Sequence, residues 1–443
     1  MSDDAAVARF QTLLRIPTES RGEHHLVQWD QFDRFLATLR QLYPLVHAHL
    51  DREVVAGHSV LYRWPGTAST EPSVLMAHYD VVPATDVGWR HPPFGGELSG
   101  SGADRLIWGR GTLDNKGAVA AILEAVESQL HAGITPHQDV YLFFGHDEET
   151  TSEGARAAVD LLEARGVRPT LVLDEGGAIA RDAFPGVTAP VAFIGAGEKA
   201  PSVVQLIVDQ AGGHASTPPE VTATARLARA IVRLNDKPFP TSLNPTVVAL
   251  LQTIGAHAKG GVGFAARNAK GLSGVVRPML ARMSPEVNAM MRTTQAVTML
   301  EAGSAANALP ERAVATVNVR VAVDSDLDVA LAHMQRAIDD EGVRTEVISR
   351  DDPVPVSPLG GLAWELVAAT VEKTFPGTVV APYIQTGATD SRHFTRICKG
   401  VYRFTPFEMS REERDTLHAR NERMHVASWL DGVRFYRALL AAL

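Results

Sequence analysis

The 443-residue chain has one cysteine, Cys398, so it can close no intramolecular disulfide and cannot build a zinc site from thiolates. Any metal it holds must be held by His, Asp and Glu. No apolar run approaches the roughly 20 residues that span a bilayer. The first residues, Met1-Ser2-Asp3-Asp4-Ala5, are acidic where a secretory leader would be basic. These features read as a soluble, cytoplasmic protein. Basic residues are the minority, 42 against 51 acids, for a formal charge of −9. That balance argues against nucleic acid or an anionic membrane as the main partner. Carboxylates gathered around a cation would use part of the excess. Internal repeats and low-complexity tracts are also missing.

What is present is a chain too long for one core, so two domains are expected. Near-continuous apolar strands at 73–77, 139–144 and 171–173 alternate with helical spacing at 27–43, 118–130 and 154–165. This pattern predicts an α/β fold whose larger domain has a largely parallel, buried sheet. From about residue 200 the order becomes strand 202–208, helix 222–234, strand 314–323 and helix 326–341. That suits a smaller inserted α+β module, with a topology compatible with a two-layer sandwich. The expected boundaries are 1–199 with 353–443 for the larger domain and 200–352 for the insert. Within the insert, 240–303 is a long stretch with few acids and several Met residues, and Ser284-Pro285-Glu286 reads as a helix start.

Five clusters carry the chemistry. His78-Tyr79-Asp80 leaves the first buried strand, and residues two apart on an extended chain share a face. A metal-binding His needs a partner to fix its tautomer, and Asp80 supplies one. Gly109-Arg110-Gly111-Thr112-Leu113-Asp114-Asn115-Lys116-Gly117 leads into a helix. There Asp114 is either a helix cap or a carboxylate bridging two cations. Asp147-Glu148-Glu149 follows a strongly apolar strand. It is either an acidic loop capping the next helix or a pair of acids dividing metal binding from proton transfer at the carboxyl edge of the sheet. Asp174-Glu175 lies at another expected strand exit, where only one of two successive side chains can face the site. His418 sits in a polar loop near the C-terminus.

Together these residues resemble the aminoacylase, acetylornithine deacetylase and carboxypeptidase S family of zinc-dependent metallohydrolases. The shared motifs are His78-x-Asp80-x-x-Pro83, Gly109-x-Gly111-x-x-Asp114-x-Lys116-Gly117, Asp147-Glu148-Glu149, Gly213-His214-Ala215-Ser216 and His418-x-x-Asn421-Glu422. Within the family the chain is most similar to the carboxypeptidase S and fatty-acyl amino acid hydrolase branch. Trp89-Arg90-His91-Pro92-Pro93-Phe94, Arg292-Thr293-Thr294 and Thr389-Asp390-Ser391-Arg392-His393-Phe394 carry that likeness. The resemblance implies two Zn²⁺ ions per subunit, replaceable by Co²⁺ or Mn²⁺, bridged by Asp114 and by water or hydroxide. His78 with Glu175 or Asp174 would hold one ion, and Glu149 with His418 the other. Asp80 would orient His78, and Glu148 would be the general base. His214 would stabilise an oxyanion in a neighbouring subunit of a homodimer formed through the inserted domain. Asn307, Arg320 and Arg392 would contact the substrate, an N-acyl amino acid or short peptide with a free carboxylate. The resemblance further implies a cis peptide after Asp114.

Three competing readings remain open at this level. A catalytically silent metal-binding relative is disfavoured by the intact Glu148, and a deacylase or desuccinylase of a non-peptide amide shares the same metal chemistry. A dinucleotide site at Ile194-Gly195-Ala196-Gly197-Glu198 lacks its third glycine, and Pro201 interrupts the helix it would need.

Overall fold

A computed structural model describes residues 2–443 apart from 182 and 185. Its larger sheet has eight strands, in the order Asp51–Val55, Ser59–Trp64, Val140–Gly145, Ser73–His78, Leu171–Ala180, Val401–Glu408, Val191–Glu198 and Val379–Gln385. The central pairings are parallel, and the first two strands add antiparallel to one edge. The strands read as unbroken apolar runs because both faces are covered. Leu75 and Ala77 enter one core with the helices Asp3–Leu14, Lys116–His131 and Val426–Leu440. Val74 and Met76 enter another with the helix Glu153–Ala164.

The smaller unit is an antiparallel sheet ordered Thr294–Glu301, Arg312–Val321, Ala200–Asp209 and Arg344–Ser349. In Arg312–Val321 burial alternates with period two, and Ala313, Ala315, Val317, Val319 and Val321 face the helices Ala223–Asp236 and Leu327–Ile338. The architecture is therefore a mixed α/β fold with a larger sheet-bearing domain and a smaller inserted one, as expected.

One expectation is corrected. The strand at 171–173 does not exit at Asp174; it runs as Leu171–Ala180, and its ladder with Val401–Glu408 shifts register so that Arg403 pairs Asp174 while Phe404 pairs Gly177. Glu175 and Gly176 are the residues skipped, a bulge that re-aims a side chain. Gly176 has φ of 140°, and a Cβ there would lie 2.9 Å from that of Arg403, so only glycine fits the bulge. The stretch 240–303 ends in the small sheet's strand Thr294–Glu301, but its helical part packs elsewhere. Its four helices, Pro245–His257, Gly260–Arg267, Ser273–Ala281 and Pro285–Met290, bury Leu250, Ile254, Ala266, Val276 and Leu280 in one cluster with Val379, Ala381 and Ile384 of the large sheet's edge strand. Ser284 does cap the last of these, accepting from the Val287 N–H with Pro285 at the first helical position.

Candidate metal centre

His78 is the last residue of Ser73–His78 and is buried. Its Nδ1 lies 3.0 Å from the Asp80 carbonyl oxygen and 3.2 Å from Asp80 Oδ1, which fixes the ring and leaves Nε2 facing outward. Asp80 is fully buried and also accepts from the Ser20 hydroxyl and from the Glu148 and Glu149 N–H groups at 3.3 and 3.2 Å. One carboxylate thus orients the imidazole and ties down the loop that follows Val140–Gly145.

Asp114 lies between two imidazoles. Its Oδ1 is 2.9 Å from His78 Nε2 and its Oδ2 is 2.9 Å from His418 Nε2. Glu175 Oε1 stands 3.2 Å from His78 Nε2, Glu149 Oε1 stands 3.2 Å from His418 Nε2, and Glu148 Oε2 is 4.0 Å from His78 Nε2. Asp174 faces elsewhere and accepts from the Ser391 N–H at 2.9 Å. Of the two acids left open by the sequence, Glu175 is the one beside His78.

Two overlapping donor sets, His78 with Glu148 and Glu175, and His78 with Asp114 and Glu149, have their ligand atoms within 4.8 Å of one another. Each imidazole Nε2 faces two carboxylate oxygens, an arrangement that needs positive charge between them. With only protons to supply it, Asp114 and Glu149 hold His418 up at about 10. Burial alone would lower His78, but Glu175, Asp114 and Asp80 outweigh it and hold the ring well above its usual range. Burial, opposed by His78 but reinforced by Asp114, pushes Glu175 up to about 8. Apart from the 3.2 Å approach of His418 Nε2, the buried Glu149 Oε1 meets no hydrogen-bond donor. A hard oxygen and nitrogen donor set with net negative charge suits divalent cations of the zinc, cobalt and manganese kind. The residues present fit a binuclear site.

The loops around this set are built to hold it. Asp147 turns away and caps the helix Glu153–Ala164, accepting from the N–H groups of Glu153 and Gly154. Of the three successive acids, the first is the helix cap and the other two line the cavity. Asp114 is not a cap, since Asn115 occupies that position, and the Asp114–Asn115 peptide is cis. Glu422, fully buried, accepts from the Leu113 and Asp114 N–H groups at 2.8 and 3.3 Å and from Arg110 Nη1 at 2.6 Å. It sits four residues after His418, so one loop supplies both an imidazole and the clamp on its carboxylate partner. His418 itself has φ of 55°.

Residues 74–442 match peptidase family M20/M25/M40. The chain belongs to this family. It is 36% identical over 412 residues to the human N-fatty-acyl-amino acid synthase/hydrolase PM20D1, covering 91% of this chain and 80% of that protein. It is 33% identical over 450 residues to a probable carboxypeptidase S-like protein 2 of Dictyostelium discoideum, covering 99% and 85%. Among solved structures, the M20 metallo-carboxypeptidase Sso-CP2 of Sulfolobus solfataricus superposes with a TM-score of 0.71 at 17% identity, covering 98% of each chain. The fold and the paired His and carboxylate sites make this M20 chain a metal-dependent hydrolase.

The cavity measures about 610 Å³, and its lining includes Asp114, Glu148, Glu149, Glu175 and His418 together with Arg320 and Arg392. Arg320 comes from the inserted sheet and donates to Asn318 Oδ1 at 3.0 Å. Burial and the neighbouring Arg392 both push its pKa down. Arg392 donates to the Thr389 carbonyl at 2.8 Å. His214 and Asn307 are brought to each other, the Ala215 N–H donating to the Asn307 carbonyl at 3.1 Å, but both are exposed and neither lines this chain's cavity.

Three groups escaped the sequence reading. Glu422 was visible only as a motif letter, with no spacing to suggest that it grips Asp114. Glu198, read as the end of a weak glycine pattern, lies in the strand Val191–Glu198, where it is paired with Arg403 at 2.5 Å and accepts from the Thr389 hydroxyl. Asp390 is buried with neither oxygen hydrogen-bonded, and burial together with Asp174 and Asp147 pushes it up to about 7. No local pattern marks a residue whose neighbours come from other strands.

Proposed function

We propose that the chain is a di-zinc amidohydrolase of the carboxypeptidase S branch, cleaving the amide bond of an N-acyl amino acid or short peptide that carries a free carboxylate. The observation that carries this reading is Asp114 with one imidazole Nε2 at 2.9 Å from each of its oxygens, and Glu148 4.0 Å from the His78 imidazole. His78 and Glu175 would hold one ion, His418 and Glu149 the other, and Asp114 both; cobalt or manganese would substitute for zinc. When bound, such a pair acidifies water and polarises a carbonyl.

The remaining work falls to side chains. Glu148 is mostly shielded from solvent, which raises its affinity for a proton; Glu175, Asp390 and Glu149 raise it further against the opposing effect of His78. It takes the proton of the attacking water as the new carbon–oxygen bond forms, and delivers it to the nitrogen as the carbon–nitrogen bond breaks. Arg320 and Arg392 line the same cavity and would grip the substrate's carboxylate, holding the scissile bond near Glu148. Residues 1–199 with 353–443 form the catalytic unit in this reading, and 200–352 the lid. His214 and Asn307, remote from their own cavity, would complete a neighbouring subunit's site in a homodimer. The human relative named for fatty-acyl amino acids favours an apolar acyl group.

The test is a release assay over N-acyl amino acids of increasing acyl length and over dipeptides, with the metal content of the same preparation measured. The reading expects about two zinc ions per chain, loss of turnover on chelation and its return with added metal. Turnover that survives complete removal of metal would sink it, as would equal rates for substrates with and without the free carboxylate.

A further inference from the structure

Between Asp236 and Glu286 the sequence holds no acidic residue, yet it carries Lys237, Lys259, Arg267, Lys270, Arg277 and Arg282. In a chain of net charge −9 this is a marked local reversal. The hydrolase site uses none of these residues. Two helices of this segment, Gly260–Arg267 and Ser273–Ala281, turn Ala266, Val276 and Leu280 inward to the cluster on the edge strand of the large sheet. Val262, Phe264, Val275 and Met279 of these helices are 46%, 60%, 70% and 48% exposed, and Met283 follows at 37%. Among the described residues none of the five cations from Lys259 to Arg282 has a carboxylate partner. Arg267 and Arg277 donate only to backbone carbonyls, of Gly255, Thr241 and Ser273.

Large apolar side chains held in water cost free energy, and solvent-exposed clusters of them mark contact surfaces. Unpaired cations beside them select what the surface meets. A nucleic acid would use the cations and leave Phe264 and Val275 in water, whereas an apolar protein face would strand the cations. An anionic lipid–water interface satisfies both: apolar side chains enter the acyl boundary while Lys and Arg reach the headgroups. We infer that the outer face of the helices spanning 260–281 docks the protein on anionic lipid surfaces. The contact is peripheral, since no described helix is long and apolar enough to cross a membrane. It does not depend on what the metal site cleaves.

Co-sedimentation of the full chain with phosphatidylcholine vesicles, with and without phosphatidylglycerol, tests this. Binding is expected only when phosphatidylglycerol is present, and it should fade as salt rises from about 0.05 M to about 0.5 M. Each of Lys270→Gln, Arg277→Gln and Arg282→Gln should weaken the partition on the order of fivefold. Phe264→Ser with Val275→Ser should weaken it roughly tenfold or more. An unchanged melting temperature shows that these surface variants are folded. Equal binding to both vesicle types overturns the inference, as does binding indifferent to Phe264→Ser, or tighter capture of RNA than of vesicles. A dimer that dissociates on Phe264→Ser overturns it too, since a second copy would then be what covers this face.

Discussion

At the carboxyl edge of the large sheet, Asp114, Glu148, Glu149 and Glu175 crowd into one cavity, and the groups behind them are clamped from several directions. Asp80 alone receives three donors, from Ser20, Glu148 and Glu149. The helical segment 237–285 is the opposite case: six cations, no acid, and large apolar side chains left in water. The contrast follows from burial. Like charges brought together out of water repel strongly and desolvate at high cost, so they persist only where position is enforced and a counter-charge can enter. Cations on an exposed helix face need no such enforcement. The first region should therefore be intolerant of single-atom changes, and the second tolerant of whole side chains.

The largest expected break in the comparison is Glu148→Gln. It keeps the shape and removes the proton acceptor, so kcat should fall by about 10²–10⁴-fold. Metal content should stay unchanged, because Glu148 is the more distant acid, 4.0 Å from His78 Nε2. A variant that loses its metal along with its rate would make Glu148 a ligand instead. Glu422→Ala comes next. It strands the buried Arg110 guanidinium and frees the Leu113 and Asp114 N–H groups, which should cost about 3–5 kcal/mol in denaturant unfolding. If stability is kept and only the rate falls, Glu422 acts on the chemistry and not as a clamp. Asp80→Asn should be milder, weakening metal affinity or activity by about 10–100-fold through a poorly oriented His78. Metal titration of the stripped protein measures it, and an unchanged affinity would remove Asp80 from the orienting role.

Much of this contrast could be read from the chain itself. Strand runs such as 139–144 announce a sheet covered on both faces, and their exits locate His78 and the Glu148–Glu149 pair. The helices expected at 118–130 and 326–341 are Lys116–His131 and Leu327–Ile338. What was not legible depends on neighbours distant in sequence. Glu175 enters the site because Leu171–Ala180 bulges against Val401–Glu408, and a strand read alone shows no bulge. Glu422 matters through contacts more than 300 positions away. The bulk charge of −9 argued against an anionic surface as partner, but a sum over the chain conceals where charges of each sign collect. The scarcity of acids in 240–303 was visible, whereas which of its apolar residues would face outward was not.

That last distinction yields the smallest and sharpest test, within a single helix. Val275 and Val276 are consecutive residues of the same type in Ser273–Ala281, one 70% and the other 1% exposed. Truncating Val276 to alanine removes two buried methyl groups from the cluster on the edge strand, and at about 0.8 kcal/mol each should cost about 1.5–2 kcal/mol. Val275→Ala takes the same atoms from a side chain already in water, and should change stability by no more than about 0.5 kcal/mol. Both are measured by denaturant unfolding without lipid, with hydrolysis of a short, water-soluble substrate expected to be unchanged. Equal costs at the two positions would mean that the outer face is packed in solution, and its unpartnered character would fail with that result. Unequal costs would leave the exposed residues unaccounted for by folding, so that their reason lies in what the helix meets outside the chain.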